Sequence, residues 1–313
     1  MSNVRTPTNQ PILIAGPTAG GKSALAMALA EEVGGLIINV DSMQVYAELR
    51  ILTARPSLAD EARVRHALFG HVPANEAYSA GRFLADAAAA LSEAAAADLR
   101  PIFVGGTGLY FKALLEGLSP IPDIAPDIRQ HWRDQASRVG AAALHGVLSA
   151  RDPGMAARLA PQDTQRIVRA LEVFDASGRS LAHWQAQPGE RLIKAEDTVR
   201  LVMMPDRDVL HRRADDRFDA MVASGGIEEA ARLEALQLDT AFPAMRAIGV
   251  APLRAVARGD MALADASAAA KAETRQYIKR QLTWLSRHMI TWKYISAKEM
   301  EINRRDAIAF IQR

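Results

Sequence analysis

The chain has 313 residues, 49% hydrophobic and 24% charged, with a formal net charge of +2 at pH 7. Those values suit a globular protein with a sizeable core, in one large domain or two modest ones. The lack of cysteine excludes disulfides and thiolate metal sites, no apolar run approaches the ~20 residues that span a bilayer, and a balance of +2 does not by itself announce a nucleic-acid binder.

Residues Met1 to Gln10 are polar and lack the apolar stretch of a secretion signal. With no cysteine and no membrane span, the expected location is the cytoplasm. An apolar strand follows at Pro11-Ile12-Leu13-Ile14-Ala15. Next come Gly16, Pro17, Thr18, Ala19, Gly20, Gly21, Lys22 and Ser23, which fit the phosphate-cradling pattern G-x-x-x-x-G-K-[ST]. The helix-forming run Ala24 to Ala30 completes a strand–loop–helix frame. Such a loop offers backbone N–H groups and a helix N-terminus to an anion. Lys22 can reach a terminal phosphate, and the Ser23 hydroxyl can ligate magnesium. The loop does not reveal which phosphate compound it holds.

Leu36-Ile37-Ile38-Asn39-Val40 reads as a second buried strand, ending at Asp41. Ala80 to Asp98 reads as a long alanine-rich helix. Pro101-Ile102-Phe103-Val104 is a third strand, closed by Gly105-Gly106-Thr107-Gly108. Alternating strands and helices predict an α/β fold, a P-loop NTPase-like core with a parallel sheet flanked by helices. Ligands in such sheets sit beyond the carboxyl ends of the strands, where the phosphate loop, Asp41 and the Gly105–Gly108 turn all fall.

Ser119-Pro120-Ile121-Pro122-Asp123 is a turn-rich break. From about Ala125 to Gln187 the pattern is helical without a convincing strand, and Pro188-Gly189 ends it. A strand returns at Thr198 to Met203, followed by a helix through Phe218 and Met221 and a mostly helical remainder. The expected division is a core of residues 1–120 and 190–313 around a helical insertion of 121–189. Near the C-terminus, Arg275, Lys279, Arg280 and Arg287 cluster with Tyr277, Trp284 and Trp292. On a helix Arg280 and Arg287 share a face that could follow a phosphate backbone, although a solvated amphipathic helix gives the same pattern.

Asp41 begins the polar turn Asp41-Ser42-Met43-Gln44-Val45-Tyr46. A carboxylate beside a phosphate loop can position magnesium or accept a proton from an attacking group, and spacing leaves both roles open.

Taken together, the chain resembles the bacterial tRNA dimethylallyltransferases. The phosphate loop, the Asp41–Tyr46 turn, Thr53-Ala54-Arg55-Pro56, Tyr78-Ser79, Gly105 to Tyr110, Arg166 to Glu172 and Arg280-Gln281-Leu282-Thr283-Trp284 occur in family order and cover nearly the whole chain. The resemblance implies transfer of a dimethylallyl group from dimethylallyl diphosphate to the exocyclic amine of the adenine 3′ of the anticodon. The tRNAs would be those reading codons that begin with U. It implies that the loop, with Arg217 and magnesium at Ser23, holds a leaving diphosphate, that Asp41 is the base, and that Thr18 contacts both diphosphate and reacting centre. It further implies tRNA contacts from Asp41, Ser42, Met43, Gln44, Thr107 and Arg129, from Gln165, Arg166, Ile167, Val168 and Arg169, and from Arg246, Gly249, Arg280, Gln281, Trp284 and Arg287. The expected partners are the anticodon stem-loop and dimethylallyl diphosphate, with no membrane, and the expected state is a monomer. Arg166 and Arg169 share one helix face, where ion pairs to Asp163 or Glu172 are the alternative.

Two segments depart from the family pattern. Arg246-Ala247-Ile248-Gly249-Val250-Ala251 lacks the usual aromatic and second basic residue. His66-Ala67-Leu68-Phe69-Gly70-His71 lacks the usual double histidine and acidic residue, and its histidines do not have metal spacing. Trp132 and Trp184 read as packing residues. The readings that compete are a prenyltransferase of free adenine nucleotides, a P-loop small-molecule kinase using ATP, and a nucleotide switch without chemistry.

Overall fold

The computed structural model describes residues 10–295. Its strands and helices follow in chain order as β1 Ile12–Ala15, α1 Lys22–Val33, β2 Gly35–Asn39, α2 Leu58–Arg63, β3 Arg65–Ala67, α3 Ala80–Ala96, β4 Arg100–Gly105, α4 Gly108–Glu116, α5 Pro126–Arg151, α6 Pro153–Ala156, α7 Thr164–Ser177, α8 Leu181–Gln185, β5 Val199–Met203, α9 Arg207–Met221, α10 Ile227–Ala235, α11 Val250–Arg258, α12 Leu263–His288 and β6 Lys293–Ile295.

Among the described residues the strands form one parallel six-stranded sheet in the order β3-β2-β4-β1-β5-β6. β1, β2 and β4 are buried at every position. This is why they read as continuous apolar runs rather than alternating ones. The period of two still operates beneath that surface. Ile12 and Ile14 of β1 join Leu25 and Leu29 of α1 in one apolar layer, while Leu13 and Ala15 face the opposite layer with Phe83, Phe103 and Phe111. β1 lies between β4 and β5, so the strand order reverses at its carboxyl end. That reversal opens a crevice. A Cβ on Gly105, at the end of β4, would lie 2.0 Å from the Val40 carbonyl oxygen. Only glycine lets the segments after β2 and β4 approach this closely.

After β5, α9 runs through a turn of wider helix at 222–226, where Gly225 takes φ 100°. α10 then packs on α11, α11 on α12, and α12 on α9. β3 and β6 have only three residues each, alternate weakly and lie on the sheet edges, so sequence pattern alone did not announce them.

Residues Glu116–Arg191 form a compact unit separate from the unit that contains the sheet. In it α5 packs on α7 around Trp132, Leu144, Ile167 and Leu171. Gly140 breaks α5 with φ 78° and ψ 170°. Trp132 is buried and donates its indole N–H to Asp175 at 2.7 Å.

Candidate active site

The loop between β1 and α1 is set by its backbone. Ala19 and Gly21 take positive φ (59° and 87°), and the Gly20 N–H donates to the Pro17 carbonyl at 3.1 Å. α1 has no side-chain cap and no acidic residue in its first turn. Its leading amides therefore face whatever occupies the loop, and the helix end favours an anion. Lys22 folds over the loop, its Nζ donating to the Pro17 carbonyl at 2.6 Å. Burial lowers its pKa to about 8 despite the opposing pull of Asp41, and Arg217 lowers it further.

Two separate segments grip Thr18. Its hydroxyl accepts from Arg217 Nη2 of α9 at 2.5 Å. Its backbone N–H donates to Gln281 Oε1 of α12 at 2.8 Å, and Gln281 Nε2 donates to the Gly106 carbonyl at 3.2 Å. Gln281 is 6% exposed, and a Cβ on Gly106 would lie 2.3 Å from its nitrogen. Gln281 thus splints the phosphate loop to the turn after β4. Burial pushes the Arg217 pKa down, and Asp41 offsets part of that.

Asp41 leaves β2 braced by Asn39, a buried residue whose Oδ1 accepts the Asp41 N–H at 2.8 Å and whose Nδ2 donates to the Asp41 carbonyl at 2.9 Å. Asp41 Oδ1 accepts the Met43 N–H at 2.9 Å. This fixes the carboxylate at the edge of the cavity. Thr107 Oγ1 accepts the Ser42 N–H at 3.0 Å. Gln44 Nε2 donates to the carbonyls of Thr53 and Ala54 at 2.8 and 2.9 Å.

Thr18, Lys22, Ser23, Asp41, Gln44, Arg217 and Gln281 line one cavity of about 330 Å³. Met27, Ile37, Phe69 and Val104 supply an apolar side to the same space. The residues can thus hold an anion at one end, keep a fixed carboxylate beside it and shelter a small apolar group. For a metal, the cavity offers the exposed Ser23 hydroxyl and the Asp41 carboxylate. Among the described residues no three His, Asp or Glu side chains cluster in a metal-binding arrangement. That donor set fits magnesium, which keeps several waters and takes further ligands from substrate phosphates.

Other expected site residues lie elsewhere. Arg280, Trp284 and Arg287 line an open groove of about 670 Å³ along α12 with Gln276, Lys279, Thr283 and His288. The Trp284 ring stacks on His288 at 4.3 Å, and a Cβ on Gly108 would run into it at 2.4 Å. Trp292 packs edge-on against Phe111 in the core instead of joining that face. Arg246 is exposed beside α11, and Gly249, with φ 89°, precedes that helix. Arg129 is exposed on α5, and Gln165 on α7. Arg166 and Arg169 are ion-paired to Asp163 and Glu172, both at 3.4 Å. Ile167 is wholly buried in that unit's core and Val168 packs against it, so the Ile167 side chain cannot touch RNA.

Sequence reasoning missed the inward role of Gln281, the Asn39 brace, and Arg55, His66 and Phe69 as cavity wall. His66 and His71 go separate ways: His66 Nδ1 pairs with the Val64 carbonyl at 2.8 Å, and His71 Nε2 with Asp86 at 3.2 Å.

Comparison with known proteins gives a consistent picture. Residues 44–288 match the family model described as IPP transferase, and residues 10–73 that described as isopentenyl transferase. A tRNA dimethylallyltransferase of Nitrobacter hamburgensis is 50% identical over 290 residues, 93% of this chain and 92% of that protein. One of Mesorhizobium japonicum is 53% identical over 279 residues, 89% and 86% of the two chains. Among solved structures, the tRNA isopentenylpyrophosphate transferase of Bacillus halodurans superposes with TM-score 0.68 at 30% identity, covering 97% of this chain and 96% of that one. A eukaryotic dimethylallyltransferase acting on tRNA gives TM-score 0.77 at 27% identity, over 94% of this chain and 75% of that one.

Proposed function

This chain belongs to the tRNA dimethylallyltransferase family, and we propose that its cavity transfers a dimethylallyl group from dimethylallyl diphosphate to the exocyclic amine of the adenine 3′ of a tRNA anticodon. The observation that carries this reading is the shared cavity of Lys22, Arg217 and Asp41, with an apolar wall beside them. A phosphoryl donor needs the cations. A five-carbon allylic tail needs the apolar wall as well.

The diphosphate lies on the loop amides, with Lys22 and Arg217 balancing its charge. As the bond from the allylic carbon to diphosphate oxygen breaks, negative charge builds on the leaving group, where these preorganised donors stabilise it most. The adenine nitrogen forms the new bond to that carbon, its proton passes to Asp41, and diphosphate departs intact. The amine is a weak nucleophile, so holding it against the allylic carbon supplies much of the rate. The Ser23 hydroxyl would hold a magnesium ion, which when bound would supply charge neutralisation at the leaving group. The adenine reaches Asp41 only by leaving the anticodon-loop stack.

The exposed basic face of α12 suits the tRNA backbone, and the helical unit Glu116–Arg191, through Arg129, Gln165, Arg166 and Arg169, is a second proposed contact. A tRNA substrate, with no described helix long and apolar enough to cross a membrane, supports a cytoplasmic enzyme.

The test mixes purified protein, magnesium, dimethylallyl diphosphate labelled in its prenyl carbons, AMP, and unmodified tRNA with adenine 3′ of the anticodon. Label should enter tRNA. Label in AMP alone would establish the nucleotide prenyltransferase instead, and phosphate transfer from ATP without prenyl transfer would establish the kinase.

A further inference from the structure

Resting on that reading, we propose that Glu229, on α10, is a positioning residue for the adenine-binding step, acting on Gln44 through the loop of residues 50–54. Glu229 is 3% exposed, and its carboxylate carries three backbone amides. Oε2 accepts from the N–H groups of Arg50 and Ile51, both at 2.9 Å, and Oε1 accepts from that of Leu52 at 2.8 Å. Charge-assisted bonds of this kind are stronger than neutral ones, and three of them on consecutive amides leave the loop little freedom.

The residues that follow convert this grip into the position of a side chain. Ala54 sits in the left-handed region at φ 52°, a conformation that alanine holds only when its surroundings impose it. The Ala54 and Arg55 N–H groups close back on the carbonyls of Ile51 and Arg50 at 2.9 and 3.0 Å, and the Thr53 hydroxyl donates to the Leu49 carbonyl at 2.7 Å. This arrangement presents the carbonyls of Thr53 and Ala54 side by side, and both accept from Gln44 Nε2. Two acceptors fix the nitrogen end of the Gln44 amide, so the function it has left is Oε1, an acceptor. An acceptor in a cavity that also holds Asp41 suits an exocyclic amine. The two oxygens would then take the amine's two protons, one as a hydrogen bond to Gln44 and one by transfer to Asp41. The phosphate loop is held independently, by Gln281 and Arg217, so loss of Glu229 should spare the diphosphate.

The test compares wild type, Glu229→Gln, Gln44→Ala and the double variant in steady-state prenylation, with tRNA and dimethylallyl diphosphate varied separately. Hydrogen exchange at the amides of residues 50–52 is read in parallel. Glu229→Gln should lower kcat/KM for tRNA about 10- to 100-fold, leave KM for dimethylallyl diphosphate unchanged, speed exchange at those amides alone, and add little once Gln44 is alanine. Glu229→Asp keeps the charge and should show the same pattern more weakly, which keeps the proposal testable if Glu229→Gln folds poorly. Additive losses in the double variant, or an equal loss for both substrates, would overturn it. Incorporation of label by wild type tests the functional reading separately.

Discussion

Replacing Gln281 with alanine separates two roles for one residue, splint of the phosphate loop or direct contact to tRNA. The change removes the bond from the Thr18 N–H (2.8 Å) and the bond to the Gly106 carbonyl (3.2 Å). Each backbone partner left orphaned costs about 1–2 kcal/mol. Thr18 borders the cavity, so water can re-satisfy its amide and the lower end applies there. The sum is about 2–3 kcal/mol, or a factor of roughly 30 to 150. Most of it should appear as weaker binding of inorganic diphosphate, because the freed amide belongs to the loop that holds the anion. Calorimetric titration of diphosphate gives that Kd, and a gel-shift titration gives the Kd for tRNA. Diphosphate affinity should fall by that factor with tRNA affinity nearly unchanged. Unchanged diphosphate binding with weakened tRNA binding would refute the splint.

Three further outcomes follow from the geometry. Lys22 has its pKa lowered to about 8 in the free protein, and a bound diphosphate restores its charge, so binding takes up a proton above that pH. Affinity for diphosphate should be full below about pH 8 and fall by up to tenfold per unit above it; in Lys22→Arg, which stays charged, that extra fall should vanish, and parallel profiles would disprove the assignment. Arg280→Ala, on the exposed face of α12, should reduce the salt slope of tRNA binding by about 0.7–0.9, and an unaltered slope would remove Arg280 from the backbone contact. Gly105→Ala should lower the melting temperature sharply, since its Cβ would sit 2.0 Å from a backbone oxygen and strain of that kind costs about 1–3 kcal/mol or more; an unshifted melt would contradict the close approach.

The phosphate loop was legible because its chemistry fixes residue types at fixed spacing, and β1, β2 and β4 because burial on both faces writes nearly continuous apolar runs. Asp41 was legible from its place at the end of such a run. The partners that orient these groups were not, because long-range hydrogen bonds leave no local pattern. Glu229 stands next to Glu228 in the first turn of α10 and reads as ordinary helix-start charge, yet it grips amides 177 to 179 residues away. Gln281 lies in a basic segment that suggested an outward face, whereas its own position on α12 turns inward with Ile278 and Leu285. Arg166 and Arg169 share a face as the spacing said, but spacing could not tell a phosphate-facing pair from one already matched with Asp163 and Glu172. Ile167, between them, is a core residue.

The central claim is that the loop Gly16–Ser23 holds a leaving diphosphate and that no phosphoryl group moves. A double-label single-turnover experiment tests it, with dimethylallyl diphosphate carrying one label in the prenyl carbons and another in the phosphates. The account predicts prenyl label in tRNA, matched one for one by intact labelled diphosphate in solution, and neither product from Asp41→Ala although that variant still binds tRNA. Phosphate label in tRNA, release of orthophosphate in place of diphosphate, or full turnover by Asp41→Ala would contradict it.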